Sequence, residues 1–310
     1  MPRRKHSDET PWGPISESVA SAIVSVLVPR SLADCVGVLG ERPDALVLAG
    51  GTDLMVAVNE SHRRIDDGLT VVAVNRVPEL RSWTLDRVAG VVRIGAGVTY
   101  TELAADPLAG LLPALAQAAR TVGSPQIRNA ATIGGNVATC SPAGDGLPVL
   151  AALEADVELA SASGVRSLPI AEFMLGVKKT AREPGELITA VTVPLLDGWQ
   201  GYVKVGVRNA MVIAISGACL AVDTPSRSVR LALGSVAPTI IRVPEAERFA
   251  AERVDWATGS IDPNDVAEFG RLAAAASRPI DDHRSTAAYR RHSIEVLARR
   301  LLARAFEVHA

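Results

Sequence analysis

Apolar and polar positions along the chain follow two periods, and the order in which they change outlines the fold. Residues 24–28 form a short apolar run stopped by Pro29, which predicts a buried strand. Leu32, Cys35, Val36 and Leu39 then recur at i, i+3, i+4 and i+7, one face of a helix. Ser31 to Asp34 has the form of a capping box with Asp in place of Glu. Residues 45–48 are the next strand. The opening order strand, helix, strand favours a parallel pair with a helical crossover. Residues 69–74 and 91–94 predict further strands. Thr99-Tyr100-Thr101-Glu102 is a capping box that opens a short helix. The Ala- and Leu-rich stretch 111–122 predicts a helix stopped by Gly123. Residues 146–155 predict another helix, 157–159 and 165–168 a hairpin around Gly164, and 187–193 a strand closed by Pro194.

Beyond Pro194 the texture changes. Residues 202–207, 212–222 and 229–236 predict three strands with short turns. Helical patterns follow at 244–253, 263–277 and 285–307, the last with Ile294, Leu297, Ala298 and Leu301 on its apolar face. Strands followed by helices describe a separate α+β domain. The boundary falls near Asp197 and Gly198, giving a disordered tail at 1–18, one domain at 19–197 and another at 198–310. The length of 310 residues agrees with two domains.

Composition narrows the function. With 48% hydrophobic and 21% charged residues the chain holds a full core. A net charge of -2 provides no bulk field for nucleic acid or anionic lipid. Cys35, Cys140 and Cys219 are far apart and the five histidines show no ligand spacing, so no metal site is expected. No segment reaches the roughly 20 apolar residues of a bilayer span. The basic cluster Arg3-Arg4-Lys5 lies too far from the first apolar run for a signal peptide, so a cytoplasmic protein is expected. Arg290, Arg291, Arg299, Arg300 and Arg304 on the last helix predict a solvated face, with a docking surface as the sharper alternative.

Two constellations carry candidate chemistry. Leu48-Ala49-Gly50-Gly51-Thr52-Asp53-Leu54 follows a strand directly. Its glycines allow a tight turn whose successive N–H groups form a nest for an anion, diphosphate being the obvious guest. An ordinary Gly-Gly turn is the alternative. Thr132-Ile133-Gly134-Gly135-Asn136 repeats the pattern, with Asp145 following inside Ser141-Pro142-Ala143-Gly144-Asp145. Together the two turns could clamp one elongated phosphorylated ligand. Lys204, one of only four lysines, sits in an apolar strand. It points either to water or into a cleft between domains, where its charge would stabilise an anionic ligand or cofactor ring. Gly95-Ala96-Gly97 lacks the third glycine of a dinucleotide fingerprint, and neither a phosphate loop nor a G-x-S-x-G elbow is present.

In this order, AGGTDL at 49–54, Ile127-Arg128-Asn129-Ala130-Ala131 leading into TIGGN at 132–136, and SPAGD at 141–145 resemble the FAD-binding medium subunit of the molybdenum hydroxylases, the xanthine dehydrogenase group. Arg278-Pro279-Ile280-Asp281-Asp282, followed by Tyr289-Arg290-Arg291, extends the likeness through most of the chain. The resemblance implies an α+β chain: a two-part FAD-binding fold of the vanillyl-alcohol oxidase (PCMH) type, then a C-terminal domain of a three-stranded antiparallel sheet and a helix bundle. It implies FAD as cofactor, held by Val47, Leu48, Ala49, Gly50, Gly51, Thr52, Asp53 and Leu54 and by Thr132, Ile133, Gly134, Gly135 and Asn136. Val122, Asp145, Ile188 and Lys204 match positions near the flavin, with Lys204 the candidate catalytic group. The implied partners are a [2Fe–2S] small subunit and a molybdopterin large subunit, with NAD⁺ or another acceptor receiving the electrons. Gly-Thr-Asp in the first motif matches xanthine dehydrogenase-like members and makes carbon monoxide the less expected substrate. After Lys204 the sequence Arg208-Asn209-Ala210 keeps one arginine where many members have a pair and then an acid. The rival readings are a stand-alone NADPH-dependent flavin reductase of the same fold and a non-catalytic flavin-binding or assembly protein.

Overall fold

The computed structural model describes residues 25–59 and 68–308. The tail at 1–18 lies outside these residues. The chain opens with β1 (Ser25–Leu27), α1 (Leu32–Glu41), β2 (Leu46–Leu48), α2 (Leu54–Asn59) and β3 (Thr70–Ala73). The Ser31 hydroxyl accepts from Asp34 N and caps α1, and Cys35 and Leu39 form its buried stripe. The expected pairing of the first two strands is corrected. The order is β1-β3-β2, with both outer strands parallel to β3. The central place goes to the strand with the most buried face, since Thr70, Val71 and Val72 are buried while β1 and β2 are not.

A second layer contains β4 (Trp83–Asp86), β5 (Val91–Gly95), α3 (Tyr100–Leu103), α4 (Leu108–Leu111), α5 (Pro113–Thr121), α6 (Pro125–Ala130), α7 (Ile133–Thr139) and α8 (Gly146–Ala152). It continues with β6 (Asp156–Ser161), β7 (Gly164–Pro169), α9 (Ile170–Phe173), β8 (Met174–Gly176), β9 (Lys179–Thr180) and β10 (Leu187–Pro194). The sheet order is β4-β5-β10-β6-β7, antiparallel throughout. The Thr99–Glu102 capping box forms in full. The single helix expected at 111–122 divides into α4 and α5. Leu112 precedes Pro113 and takes φ -131°, ψ 66°, outside the helical region, while Pro113 starts the next helix at its first position.

The third part holds β11 (Gly198–Val205), β12 (Ser216–Asp223), β13 (Ser228–Gly234), β14 (Ile241–Arg242), α10 (Pro244–Arg253), β15 (Ser260–Ile261), α11 (Pro263–Ala276), α12 (Ala287–Ala305) and β16 (Glu307–Val308). Its sheet has four strands, not three, in the order β11-β12-β13-β14. The extra strand is two residues long, too short to show an alternating pattern. We place the division between the two domains at Asp197, where the chain leaves one sheet and enters the next.

The β12 run is apolar on both faces because both are covered. Cys219 and Ala221 belong to the core shared with α5 and α8, whereas Ala218, Leu220 and Val222 belong to the core under α10, α11 and α12. In β11, Tyr202 faces the first core, and Trp199, Val203 and Val205 pack against the second. Lys204 has the parity of Tyr202 and therefore turns inward, towards the first domain. Among the last-helix arginines, Arg291, Arg299, Arg300 and Arg304 are exposed, but Arg290 is buried at 4% exposure, which corrects its surface assignment. It lies on the same face as Ile294 and Leu297. Among the described residues no helix is long and apolar enough to cross a membrane.

Candidate functional site

The first Gly-Gly motif leaves β2 at the end of the parallel sheet. Val74 N donates to Leu48 O (2.9 Å) and fixes the start of the turn. Val47 and Leu48 are half-buried strand residues, Thr52 and Asp53 form the turn, and Leu54 opens α2. Gly51 has φ +71°, a region that favours glycine. Gly50 is required for a different reason: a Cβ there would lie 1.9 Å from Ala130 O, at the end of α6. The two motif regions therefore cross backbone to backbone at this residue. Among the described residues, the amides of Gly50, Gly51, Thr52 and Asp53 meet no acceptor. Successive unpaired N–H groups beyond a strand end make an anion nest.

The second motif looks alike and behaves otherwise. Thr132 caps α7, its hydroxyl accepting from Gly135 N (3.0 Å). Ile133 N donates to Val98 O (3.0 Å), Gly134 N to Ala96 O (2.9 Å) and Asn136 N to Thr132 O (3.0 Å). Every amide from Ile133 to Asn136 thus has a protein acceptor, so a second anion nest is ruled out. The glycine at 134 serves close packing, since a Cβ there would lie 2.4 Å from Ala96 Cβ. Upstream, the Arg128 guanidinium donates to Val122 O and Gly123 O, both at 3.0 Å, and holds the C-terminal end of α5.

Between the motifs lies a cavity of about 270 Å³ lined by Gly50, Asn75, Arg81, Thr99, Asn129 and Thr132, among others. It adjoins a wider surface cleft of about 490 Å³ lined in part by Arg30, Arg76 and Arg81. Arg81 is loosely held, 3.8 Å from Glu102, with both side chains about half exposed. Asn75, Arg81, Thr99 and Asn129 were not singled out as site residues from the sequence. Thr99 carried a signal as a helix cap, and Asn129 as part of the Ile127–Ala131 stretch. Arg81 had none, because only the fold brings residue 81 to residues 50 and 132.

The remaining candidates gather at a second point. Lys204 Nζ is 2.7 Å from Asp145 Oδ2, with side-chain exposures of 7% and 9%. It also donates to Thr121 O (2.9 Å) and Val212 O (3.1 Å), and Tyr202 Oη donates to Asp145 Oδ1 (2.8 Å). Lys204 therefore does not face water, and its charge is compensated. Burial pushes the Asp145 carboxyl above its usual range, opposed by Lys204 and the Tyr202 hydrogen bond. Burial, reinforced by Asp145, raises the Tyr100 and Tyr202 phenols well above theirs. Tyr100 Oη and Asn136 Oδ1 are buried without partners among the described residues, each within 3.0 Å of where a Cβ at Gly146 would stand. Val122 joins this group beside Thr121. Ile188 is buried in β10, in the same core as Tyr202, and is not among the residues that line the cavity between the motifs. Helix α7 links the two points, from Thr132 in the cavity wall to Asn136 beside the Asp145 loop.

Unpaired amides and a guanidinium at one point, with a compensated ion pair and orphan polar atoms at the other, suit an elongated dinucleotide cofactor. Cys35, Cys140 and Cys219 are buried and none lines the cavity, which offers no thiol for a covalent link.

Comparison with known proteins agrees. Residues 21–196 match the FAD binding domain in molybdopterin dehydrogenase, and residues 201–305 match the CO dehydrogenase flavoprotein C-terminal domain. The xanthine dehydrogenase FAD-binding subunit of Escherichia coli O157:H7 is 35% identical over 227 residues, covering 71% of this chain and 76% of that one. The glyceraldehyde dehydrogenase medium chain of Sulfolobus acidocaldarius is 31% identical over 272 residues, covering 86% and 93%. Among solved structures, quinoline 2-oxidoreductase from Pseudomonas putida 86 superposes with a TM-score of 0.82 at 26% identity, covering 91% of this chain and 96% of that one. The chain belongs to the FAD-binding medium subunits of the molybdenum hydroxylase family.

Proposed function

We propose that this subunit relays electrons from a [2Fe–2S] partner subunit, supplied in turn by a molybdopterin partner, to NAD⁺ or another acceptor. Bound FAD supplies the redox chemistry, and the protein supplies binding, orientation and electrostatics. The single observation that carries the reading is the row of amides from Gly50 to Asp53, unpaired among the described residues, which begins at a cavity that Gly50 shares with Arg81, Asn129, Ala130 and Thr132.

In this reading the diphosphate accepts from the Gly50–Asp53 amides and from Arg81. Asn129, Ala130 and Thr132 form the facing wall, and Asn136 leads towards the Lys204–Asp145 pair. Lys204 is held by three acceptors, Thr121 O, Asp145 Oδ2 and Val212 O. It presents a fixed dipole to the ring end of the cofactor, weaker than a bare cation would be. The Tyr202 hydroxyl keeps Asp145 oriented, and burial of the pair keeps water away from it.

The test has two steps. The purified chain is expected to hold FAD without a covalent bond, released into the supernatant by acid precipitation; a colourless chain that ignores added FAD defeats the reading. Co-expressed with the [2Fe–2S] and molybdopterin chains, it is expected to co-elute with both and reduce the acceptor when substrate is added. A chain that runs alone and turns over with NADPH assigns the function to a stand-alone reductase instead.

A further inference from the structure

We infer that Arg290, on the opposite side of the C-terminal sheet from the Lys204–Asp145 pair, is the positioning residue that holds that pair together. The inference rests on the proposed placement of the flavin ring only where its effect on the cofactor is concerned.

Arg290 sits in the first turns of α12, on its apolar face. One terminal nitrogen of its guanidinium donates to Ile215 O (2.7 Å) and Ser235 O (2.9 Å), and the other donates to Asp282 Oδ1 (2.7 Å). Its Nε is buried and has no partner among the described residues. A buried guanidinium that leaves a donor unmet is oriented by the bonds it does make. Those bonds fix two carbonyls at the end of the sheet where β12 begins and β13 ends.

From these carbonyls the constraint reaches both sides of Lys204. Ser235 N donates to Pro142 O (2.7 Å), in the loop that carries Asp145. Ser235 Oγ donates to Ala214 O (3.0 Å), just beyond Val212, whose carbonyl accepts from Lys204 Nζ. Ile215 N closes the same loop onto Val205 O (2.8 Å). Two of the three acceptors of the Lys204 ammonium, Asp145 and Val212 O, therefore lie within three residues of backbone tied to Arg290 or to its partner Ser235. Ser235 itself has φ +62°, a conformation that persists in a non-glycine residue when its surroundings fix it. The Arg290 carbonyl also accepts from Ser293 Oγ, which pairs with Ser216 Oγ at the start of β12.

The test uses the full chain, both free of FAD and loaded with it. The four lysines make a lysine-selective ¹⁵N spectrum simple, and a buried ammonium with three acceptors exchanges its hydrogens slowly enough to be seen. Arg290→Gln and the milder Asp282→Asn are compared with Glu247→Gln, which breaks the Arg242–Glu247 pair elsewhere in the same domain. Asp282→Asn keeps the Oδ1 that accepts from Arg284 N, Ser285 N and Arg290 and removes its negative charge, so it weakens the hold on Arg290 without removing the caps and decides the question if Arg290→Gln does not fold. In the FAD-free chain, both site variants are expected to speed exchange of the Lys204 ammonium by about tenfold, while Glu247→Gln leaves it unchanged. In the loaded chain, the reduction potential of the flavin is expected to move in the same direction as in Lys204→Met. The double variant Arg290→Gln with Lys204→Met is expected to be non-additive. Lower melting temperatures with an unchanged Lys204 signal would overturn the inference and make Arg290 a residue of stability alone. A changed lysine signal with an unchanged potential would uphold the positioning and count against a flavin ring beside Lys204.

Discussion

The two Gly-Gly motifs are near-copies in sequence and opposites in the fold. In the first, the turn after β2 leaves the amides of Gly50 to Asp53 without acceptors among the described residues. In the second, Val98 O, Ala96 O and the Thr132 hydroxyl take the amides of Ile133, Gly134 and Gly135. One motif leaves its donors open; the other uses its missing side chains to bring a helix against a strand. A glycine pair marks a close approach of backbone, and the hydrogen bonds around it decide whether the neighbour is ligand or protein.

The contrast breaks most severely at Gly50. Gly50→Val places a branched side chain where even a Cβ would lie 1.9 Å from Ala130 O, so the loop must move away from α6. FAD binding is expected to be lost, beyond about a hundredfold in affinity, as read by fluorescence of titrated cofactor. Retained affinity would show that the crossing of the two motifs does not shape the site.

Next in size is Lys204→Met, which tests what the second motif leads to. It leaves the buried Asp145 carboxylate without its cation, a loss of about 3–5 kcal/mol in urea unfolding. The pH dependence has a definite sign. The folded Asp145 carboxyl already titrates above its usual range, and losing Lys204 raises it further. A raised carboxyl binds its proton more tightly in the folded state, so the variant is penalised least below the unfolded value of about 4 and progressively more as pH rises through the folded value. Unfolding at acid and neutral pH is expected to show the smaller deficit in acid, and the opposite order would contradict burial of the pair.

Gly134→Ala comes third. Its Cβ meets Ala96 and costs about 1–3 kcal/mol of stability as α7 shifts. FAD affinity is expected to fall far less than with Gly50→Val, because no amide of this motif reaches the ligand. The smallest effect is that of Arg81→Ala, which removes one half-exposed cation from the cavity. It is expected to weaken FAD by about tenfold, and more at low salt, with the melting temperature unchanged.

Much of this was legible in the chain. The Thr99–Glu102 box, the hairpin at Gly164 and the helix after Val243 follow from local signals, and the structure contains them. That the motifs at 49–54 and 132–136 meet at one cavity was readable from their likeness and order. Their division of labour was not, because the acceptors of the second motif, Ala96 and Val98, reach it only through tertiary folding. The central place of β3 was hidden for a similar reason: strand order is a property of the sheet, and the opening strand-helix-strand pattern suits either order. Two readings missed signals that were present. Lys204 shares the parity of Tyr202, so one inward-facing aromatic already fixed its direction. Arg290 stands four residues before Ile294 on the apolar face, which separates it from the exposed arginines of the same helix.

The measurement that tests the difference between the motifs most directly is amide hydrogen exchange of the FAD-free chain before and after addition of FAD. The Gly50 to Asp53 amides are expected to exchange fast without the cofactor and to slow by about tenfold or more once it binds, while those of Ile133 to Gly135 are slow in both states. Protection that appears first at Ile133 to Gly135, with Gly50 to Asp53 unchanged, would contradict the account.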